Sequence, residues 1–145
     1  MDRKGWVLVK LLLIITGALI FIYLITPRFQ KSIYRMRDLT TQANLESIRV
    51  ALLSYHKDKE EWPSSLTQLK PSYLKRIPNE FLSSVKGSSK ISIAKKEADL
   101  VSQRGSLLTG WMYGNYNQEG ELKYGHSVLP MSTTFSDGKG NTSSW

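Results

Sequence analysis

The feature that most constrains this chain is a run of twenty residues, Trp6 to Ile25, in which Lys10 is the only charged side chain. A helix needs about 20 apolar residues to cross a bilayer, so the length of the run predicts a retained transmembrane span. A cleaved secretory signal is the alternative. The run is long for a signal, however, and Pro27-Arg28-Phe29 follows it in place of an Ala-x-Ala cleavage site.

Lys10 is the exception within the run. A lysine at the centre of a bilayer costs about 2.5 to 3.5 kcal/mol on insertion scales. Lys10 lies only one helical turn after Trp6, so its aliphatic stem can reach toward the membrane interface. The position alone therefore predicts an interfacial anchor, which requires no further function.

Charge is concentrated around the apolar run. The chain carries a net charge of +8, of which +5 belongs to the first forty residues. This distribution is typical of a membrane-flanking segment and makes a nucleic-acid groove an unlikely interpretation. Basic residues also follow the run, so the positive-inside rule alone would leave the C-terminal domain in the cytoplasm. They are Arg28, Lys31, Arg35 and Arg37.

The segment after Pro27 has the pattern of an amphipathic helix. Its apolar residues recur mostly at steps of three and four, and residues 28 to 57 contain no glycine or proline. We expect one helix of about 50 residues that continues through Pro27 with a kink and packs one stripe against a sheet. The predicted stripe consists of Phe29, Ile33, Met36, Ala43, Ile48, Ala51, Leu52 and Tyr55.

Residues that begin or end helices divide the rest of the chain into short segments. Ser64 or Ser65 can cap a short helix that runs through Leu69 and ends at Pro71. Residues 82 to 105 are rich in Ser and Lys, and only Ile-Ser-Ile-Ala within them resembles a strand. We therefore predict a variable surface loop, 80–105, with one edge strand.

Residues 107–125 are predicted to form a β-hairpin. Trp111 to Tyr113 suit a strand, Asn117 to Gly120 suit a turn, and Glu121 to Tyr124 suit the returning strand. A polar tail follows, and we expect Trp145 to pack back on the domain.

Motifs for catalysis are missing from the sequence, and we expect no enzyme. The chain has no cysteine, and its two histidines, His56 and His126, are seventy residues apart without a metal-spaced partner. We interpret His56 as a solvated residue at the helix end and His126 as exposed. Glu60 and Glu61 are adjacent and would diverge. Asp137 is a weak calcium candidate in Asp137-Gly138-Lys139-Gly140; no other cofactor is indicated.

Four segments match, in order, the motifs of one known family. KGWVLVKLLLIITGALIFIYLITPRF is similar to K-G-F-T-L-[VI]-E-L-L…A-I-P-[RN]-F, with Pro27 22 residues after Gly5. The segments that follow are TTQANLESIRVALLSYHKDKEEWPSSLTQLKPSYLKRIP, Leu107 to Tyr124, and STTFSDGKGNTSSW. Together they resemble type IV pilins and pseudopilins, especially the G class of type II secretion, over nearly the whole chain apart from residues 80 to 105.

The resemblance implies an α+β, pilin-like fold. A long N-terminal helix, with a transmembrane half and an amphipathic half, would pack on a small antiparallel β-sheet. The divisions would be a prepilin-type leader, 1–5, a transmembrane and polymerisation helix, 6–27, the amphipathic half, 28–58, and a globular head, 59–145. The head would include the variable loop 80–105, the hairpin 107–125 and the polar tail.

The resemblance also implies a structural function. A prepilin peptidase would cut between Gly5 and Trp6 and methylate the amino group of Trp6. The mature helix, with Lys10 and Pro27 in its assembly segment, would leave the bacterial inner membrane for a filament of a type II secretion or type IV pilus system. Its partners would be membrane lipid, other pilins or pseudopilins, the peptidase and an inner-membrane assembly platform. The C-terminal domain would lie in the periplasm or outside the cell, against the charge count.

Lys10 departs from the family pattern, which has glutamate at this position to meet the amino terminus of a neighbouring subunit. Two positive charges 4 Å apart repel by about 4 kcal/mol at an effective dielectric constant of ~20. Three outcomes follow: a minor or tip subunit, a heteromeric partner whose glutamate meets Lys10, or a member that stays in the membrane. The alternative function is a non-polymerising single-span protein whose extracytoplasmic domain binds a partner or DNA.

Overall fold

The structure is a computed structural model that describes residues 3–114, 128–142 and 145. It contains a long helix, α1 (Arg3–Lys59), and a short helix, α2 (Glu97–Ser102). Three strands follow the chain as β1 (Ile91–Ala94), β2 (Trp111–Gly114) and β3 (Val128–Pro130). The chain divides into two compact units, Met1–Ile33 and Tyr34–Trp145, and α1 contributes to both.

Helix α1 has 57 residues and includes Pro27, so the predicted continuation through this proline is confirmed. Basic residues occupy its last turn, where positive charge interacts favourably with the negative end of the helix dipole. Glu60 follows with a positive φ of 57°, and its N–H donates to the carbonyl of His56 at 2.8 Å. This backbone conformation ends the helix at Lys59 and reverses the chain.

The second unit is α+β, with the helical residues 34–59 packed on a small sheet. The sheet has the order β1-β2-β3, and β1 is an edge strand as predicted. Strands β2 and β3 pair antiparallel, whereas β1 and β2 pair parallel. The predicted all-antiparallel sheet is therefore wrong for one pair. The physical reason is the connection: residues 95–110 include α2 and are long enough for the crossover that parallel strands require.

The segment 80–105 is more ordered than the predicted surface loop. It contains β1 and α2, and Glu80 at its start is fully buried. Gly110, just beyond it, has a φ of 99°, and a Cβ at this position would lie 2.3 Å from the carbonyl oxygen of Lys90. Glycine is therefore required where β2 approaches the start of β1.

The short helix predicted before Pro71 is present as a 3-10 helix, Leu66–Leu69. Ser65 is its N-cap, and the Ser65 hydroxyl accepts a hydrogen bond from the N–H of Thr67. Leu66 and Leu69 are fully buried, so the helix closes one side of the core.

One core cluster joins the helix to the sheet. Tyr113 is buried within it and donates from its hydroxyl to the carbonyl of Pro63 at 2.6 Å; burial raises the pKa of this phenol. Trp145 packs against the same cluster, as expected, with its ring 5.6 Å from that of Phe135. The buried members are Leu45, Ile48, Ala51, Leu52, Leu66, Leu69, Ile77, Trp111, Tyr113 and Val128.

The predicted hairpin 107–125 is described only in part. Its first strand is β2, and the antiparallel partner of that strand among the described residues is β3. The predicted turn, Asn117 to Gly120, and the predicted returning strand, Glu121 to Tyr124, lie outside the described residues.

Candidate assembly surface

The first unit exposes its apolar side chains. From Trp6 to Leu24 the large apolar residues are between 41% and 81% exposed. By its length and composition, α1 is long and apolar enough to cross a membrane. The hydroxyls of Thr16 and Thr26 donate to the carbonyls of Leu12 and Ile22, at 2.8 Å and 2.6 Å. These bonds satisfy both hydroxyls within the helix, as an apolar environment requires.

Lys10 lies on this exposed surface with Trp6 as its neighbour. The Nζ atom is 5.4 Å from the centroid of the Trp6 ring, a distance at which a cation is attracted to an aromatic face. The two residues are four apart, so the helix itself brings them together. A Cβ added to Gly5, at the predicted cleavage point, would meet no described side chain within 4 Å.

One face of α1 within residues 34–59 is buried against the head. Thr41, Leu45, Ile48 and Leu52 are at most 2% exposed. Their steps of four, three and four keep them on one side of a helix that turns about 100° per residue. This face is the one that the predicted stripe describes correctly, through Ile48, Ala51, Leu52 and the half-buried Tyr55.

The opposite face of the same helical segment carries a second apolar row, which we call the exposed seam. At about 100° per residue, its centre at Val50 lies about 180° from Thr41. The apolar members other than Ala43 are 54% to 67% exposed, and Ala43 and Glu46 are exposed as well. The seam consists of Met36, Leu39, Ala43, Glu46, Val50 and Leu53.

The prediction of a single buried stripe on α1 is wrong, because its residues are divided between two faces of the helix. Phe29, Ile33, Met36 and Ala43 were expected in the core, but all four are exposed. The reason is geometric: the step of five residues from Ala43 to Ile48 rotates the side chain by about 140°, onto the other side of the helix. Both rows have alternating steps of three and four, so spacing alone does not tell which of them the head covers.

The head is fixed to α1 by a short segment that we call the clasp, Asn79–Leu82. Arg37 donates from Nε to the carbonyl of Phe81 at 2.8 Å and from Nη2 to that of Leu82 at 3.0 Å. Thr41 accepts from the N–H of Phe81 at 2.9 Å, and Asn44 donates to the carbonyl of Asn79 at 2.7 Å. Three side chains of the helix thus satisfy backbone groups of the clasp, which fixes the orientation of the segment as well as its position.

Glu80 holds the clasp from the other side. Its carboxylate accepts hydrogen bonds from the N–H groups of Leu82, Ser83 (3.3 Å) and Gly110 (3.0 Å). Burial raises the pKa of Glu80, while these donors and the charge of Arg37 act in the opposite direction. A lone glutamate between Asn79 and Phe81 gave no sequence signal for this role.

The two histidines and Asp137, the other candidates from the sequence, do not belong to the exposed seam or to the clasp. His56 is not a solvated end residue: its ring stacks on Trp62, with centroids 4.0 Å apart and planes 5° apart, because the turn after Lys59 folds the chain back. Its buried Nδ1 has no hydrogen-bond partner among the described residues. His126 lies outside those residues. Asp137 accepts from the N–H of Lys139 at 2.8 Å, and the described ranges contain no group of three or more His, Cys, Asp or Glu suited to a metal.

No protein-family model, curated protein or solved structure matches this chain. The likeness to pilins and pseudopilins therefore rests on the motifs quoted above, and the surfaces of α1 carry the functional argument.

Proposed function

We propose that this protein is a structural, pilin-like or pseudopilin subunit that joins an assembly of a type II secretion or type IV pilus system through α1. The observation that carries the proposal is the exposed seam. A helix whose opposite face already packs on its own head keeps a row of apolar side chains uncovered. Contiguous exposed apolar surface of this kind marks an interaction site.

The spacing of the seam favours another helix as the partner. Its residues follow the a and d positions of a heptad, the pattern in which side chains of one helix fit between those of a second helix. A groove of about 710 Å³ lies alongside, lined by Ala43, Glu46 and Val50 on the helix and by Tyr73 and Leu74 on the head. A neighbouring helix on the seam would thus also contact the head.

The apolar N-terminal segment supports the same proposal. Side chains between Trp6 and Leu24 are exposed, so they need lipid or neighbouring subunits around them. We propose that they lie in the bacterial inner membrane before assembly and against neighbouring helices afterwards. In this proposal the head lies in the periplasm or outside the cell, and membrane lipid, a prepilin peptidase and an assembly platform are partners.

Two charges favour a minor or heteromeric subunit over a homopolymer. Glu46 occupies a d position of the seam, so a symmetric pair of copies would bring two carboxylates together. Like charges within an apolar interface disfavour that pairing. Lys10 would likewise face the positive amino terminus of an identical neighbour. A partner with a basic residue opposite Glu46 and an acidic one opposite Lys10 relieves both conflicts.

The decisive experiment examines the N-terminus in bacteria that carry a prepilin peptidase. Intact-mass and N-terminal peptide analysis should find a chain that has lost five residues and begins at methylated Trp6. The matched variant Gly5→Ala should block the cleavage. Recovery of intact Met1 from peptidase-positive cells would contradict the proposal.

Lys10→Glu tests the charge argument. Glutamate at this position would face the amino terminus of a neighbouring subunit with the opposite charge, so we expect more of the variant than of the wild type in sheared filament fractions. Lys10→Gln serves as a neutral control and should be intermediate. An equal or lower yield with glutamate would show that repulsion at Lys10 does not limit assembly.

A second candidate function is a single-span membrane protein that never polymerises and whose extracytoplasmic domain binds a partner. The contact between Lys10 and Trp6 favours it, because this contact gives the charge a neighbour within its own helix. The processing experiment separates the two candidates, since the second predicts an intact leader.

A further inference from the structure

The head contains a second surface feature, which shares no residue with the exposed seam. It is a cavity of about 570 Å³ between the Thr40 and Asn44 turn of α1 and residues 67–91 of the head. We call it the basic cleft. The described residues that line it include Thr40, Asn44, Lys70, Arg76, Asn79 and Ser89.

The charge of the basic cleft has one sign. Lys70 and Arg76 line it, and none of the other described residues in its lining is acidic. Both basic side chains are exposed, and within the described part of the chain neither forms a hydrogen bond or ion pair. Glu80 is close in sequence but does not neutralise them, because its carboxylate accepts from backbone N–H groups of Leu82, Ser83 and Gly110.

The rest of the lining combines two kinds of surface. Ser89 and Asn79 add polar groups to the lining, while Phe81, Pro78 and Ile91 supply an apolar wall. A volume of this size lies within the range of about 300 to 1,000 Å³ found for small-molecule sites. The cleft therefore suits a ligand with an anionic end and an apolar or aromatic body.

We propose that the basic cleft binds a small organic phosphate. A guanidinium presents a planar set of donors that matches phosphate oxygens, and a lysine adds a point charge, so Arg76 and Lys70 are the phosphate-binding residues. The body of the ligand lies against Phe81 and Ile91. This site is independent of the assembly proposal, because it uses neither the leader nor the seam.

The experiment uses the full chain in non-ionic detergent micelles at low ionic strength. Adenosine 5′-monophosphate is the probe, adenosine lacks the phosphate, and inorganic phosphate lacks the apolar body. Binding is measured by isothermal titration calorimetry and by amide chemical-shift changes. The test variant is Lys70→Gln with Arg76→Gln, and the matched control is Lys86→Gln with Lys95→Gln, which removes two exposed positive charges outside the cleft.

The proposal expects saturable binding of the monophosphate, with shifts centred on residues of the cleft. The test variant should weaken it by about tenfold or more, since each charge-assisted hydrogen bond is worth more than a neutral one. The control pair should change it by less than about twofold. Ser89→Asp, which adds a carboxylate to the rim and removes no packing, should also weaken binding.

Several results would overturn the proposal. Absence of saturable binding, or equal loss in the control pair, would show that the cleft has no specific site. If adenosine binds as tightly as the monophosphate, Lys70 and Arg76 do not bind a phosphate group. If inorganic phosphate binds as tightly as the monophosphate, the apolar wall does not contribute to the affinity. Binding restricted to an oligonucleotide would identify a nucleic-acid polymer as the ligand instead.

Discussion

The two faces of α1 within residues 34–59 are similar in apolar content and opposite in environment. On one face Leu45, Ile48 and Leu52 are at most 2% exposed, and on the other Met36, Val50 and Leu53 are more than half exposed. The helix is the same and the residue types are nearly the same. What differs is the presence of a partner within the chain.

Polar contacts, more than apolar content, distinguish the buried face. Arg37, Thr41 and Asn44 all bond to backbone groups of the clasp. Each bond contributes a modest net free energy, about 0.5 to 1.5 kcal/mol, but it also excludes other ways of packing the helix. Apolar spacing alone therefore does not tell which face the chain itself covers, whereas polar groups with matched partners do.

The largest expected effect comes from two neighbouring leucines, Leu52 and Leu53, which are 2% and 61% exposed. Leu52→Ala removes packed methyl groups and leaves a cavity, so it should lower the free energy of unfolding by about 2 to 5 kcal/mol. Leu53→Ala loses no packing within the chain and should change it by less than about 0.5 kcal/mol. Both substitutions are equally conservative for the helix itself.

Denaturant unfolding of the full chain in non-ionic micelles, followed by tryptophan fluorescence, measures this difference. The leader and the membrane segment are identical in both variants, so their contribution cancels. Similar losses for Leu52→Ala and Leu53→Ala would mean that the seam is covered within the monomer, and the comparison of the two faces would fail.

Glu80 should give the next largest effect. In Glu80→Gln one acceptor oxygen becomes an NH₂ group that cannot accept from the N–H of Leu82 or Gly110. A buried donor without a partner costs about 1 to 3 kcal/mol, so the variant should unfold at a lower denaturant concentration. Glu61→Gln, at an exposed site, is the control and should leave the midpoint nearly unchanged.

The effect of Glu80→Gln should also depend on pH. Burial raises the pKa of Glu80 above its ordinary value of 4.5, so the folded state holds this proton more tightly than the unfolded state. The resulting contribution to stability is complete below pH 4.5 and is lost as the pH rises through the raised pKa. The difference between wild type and Glu80→Gln should therefore be largest at low pH and decrease upward. A difference that grows with pH would show that the pKa of Glu80 is lowered in the folded state and would contradict this prediction.

Sequence patterns predicted the single helices and strands of this fold better than they predicted which of these elements pair with each other. The helix through Pro27, a cap at Ser64 or Ser65 and the edge strand β1 follow from local propensities and were predicted, and the structure has the cap at Ser65. The parallel pairing of β1 with β2 was not, because it depends on a connection whose helix has only six residues. So short a helix carries little periodic signal.

The candidate surface shows the same limit. The exposed apolar run from Trp6 is a property of composition and was predictable from it. The division of the stripe into two faces required the exposure of Ala43 and Met36, since both rows have helical spacing. The roles of Glu80 and His56 depend on the clasp and on the turn at Glu60, which are tertiary features that no local pattern records.

The smallest expected effect on stability, and the sharpest test of the exposed face, comes from Val50→Asp. Val50 is 54% exposed, so the added carboxylate meets water in the monomer and should change the free energy of unfolding by less than about 1 kcal/mol. Gln42→Asp places the same charge on an exposed position of the same helix outside the seam and is the control. In cells, cross-links from Leu39→Cys to a neighbouring subunit, made with a reagent that joins a cysteine to an amine, should form in the Gln42→Asp background and be lost with Val50→Asp, because a charge on the seam would have to be desolvated against a neighbouring helix. The chain has no cysteine of its own, so each cross-link reports on that position alone. Cross-links that persist with Val50→Asp would show that Val50 faces solvent in the assembled protein as it does in the monomer, so that the seam does not pack on a neighbouring helix along its length. The apolar content of that face would then need another explanation.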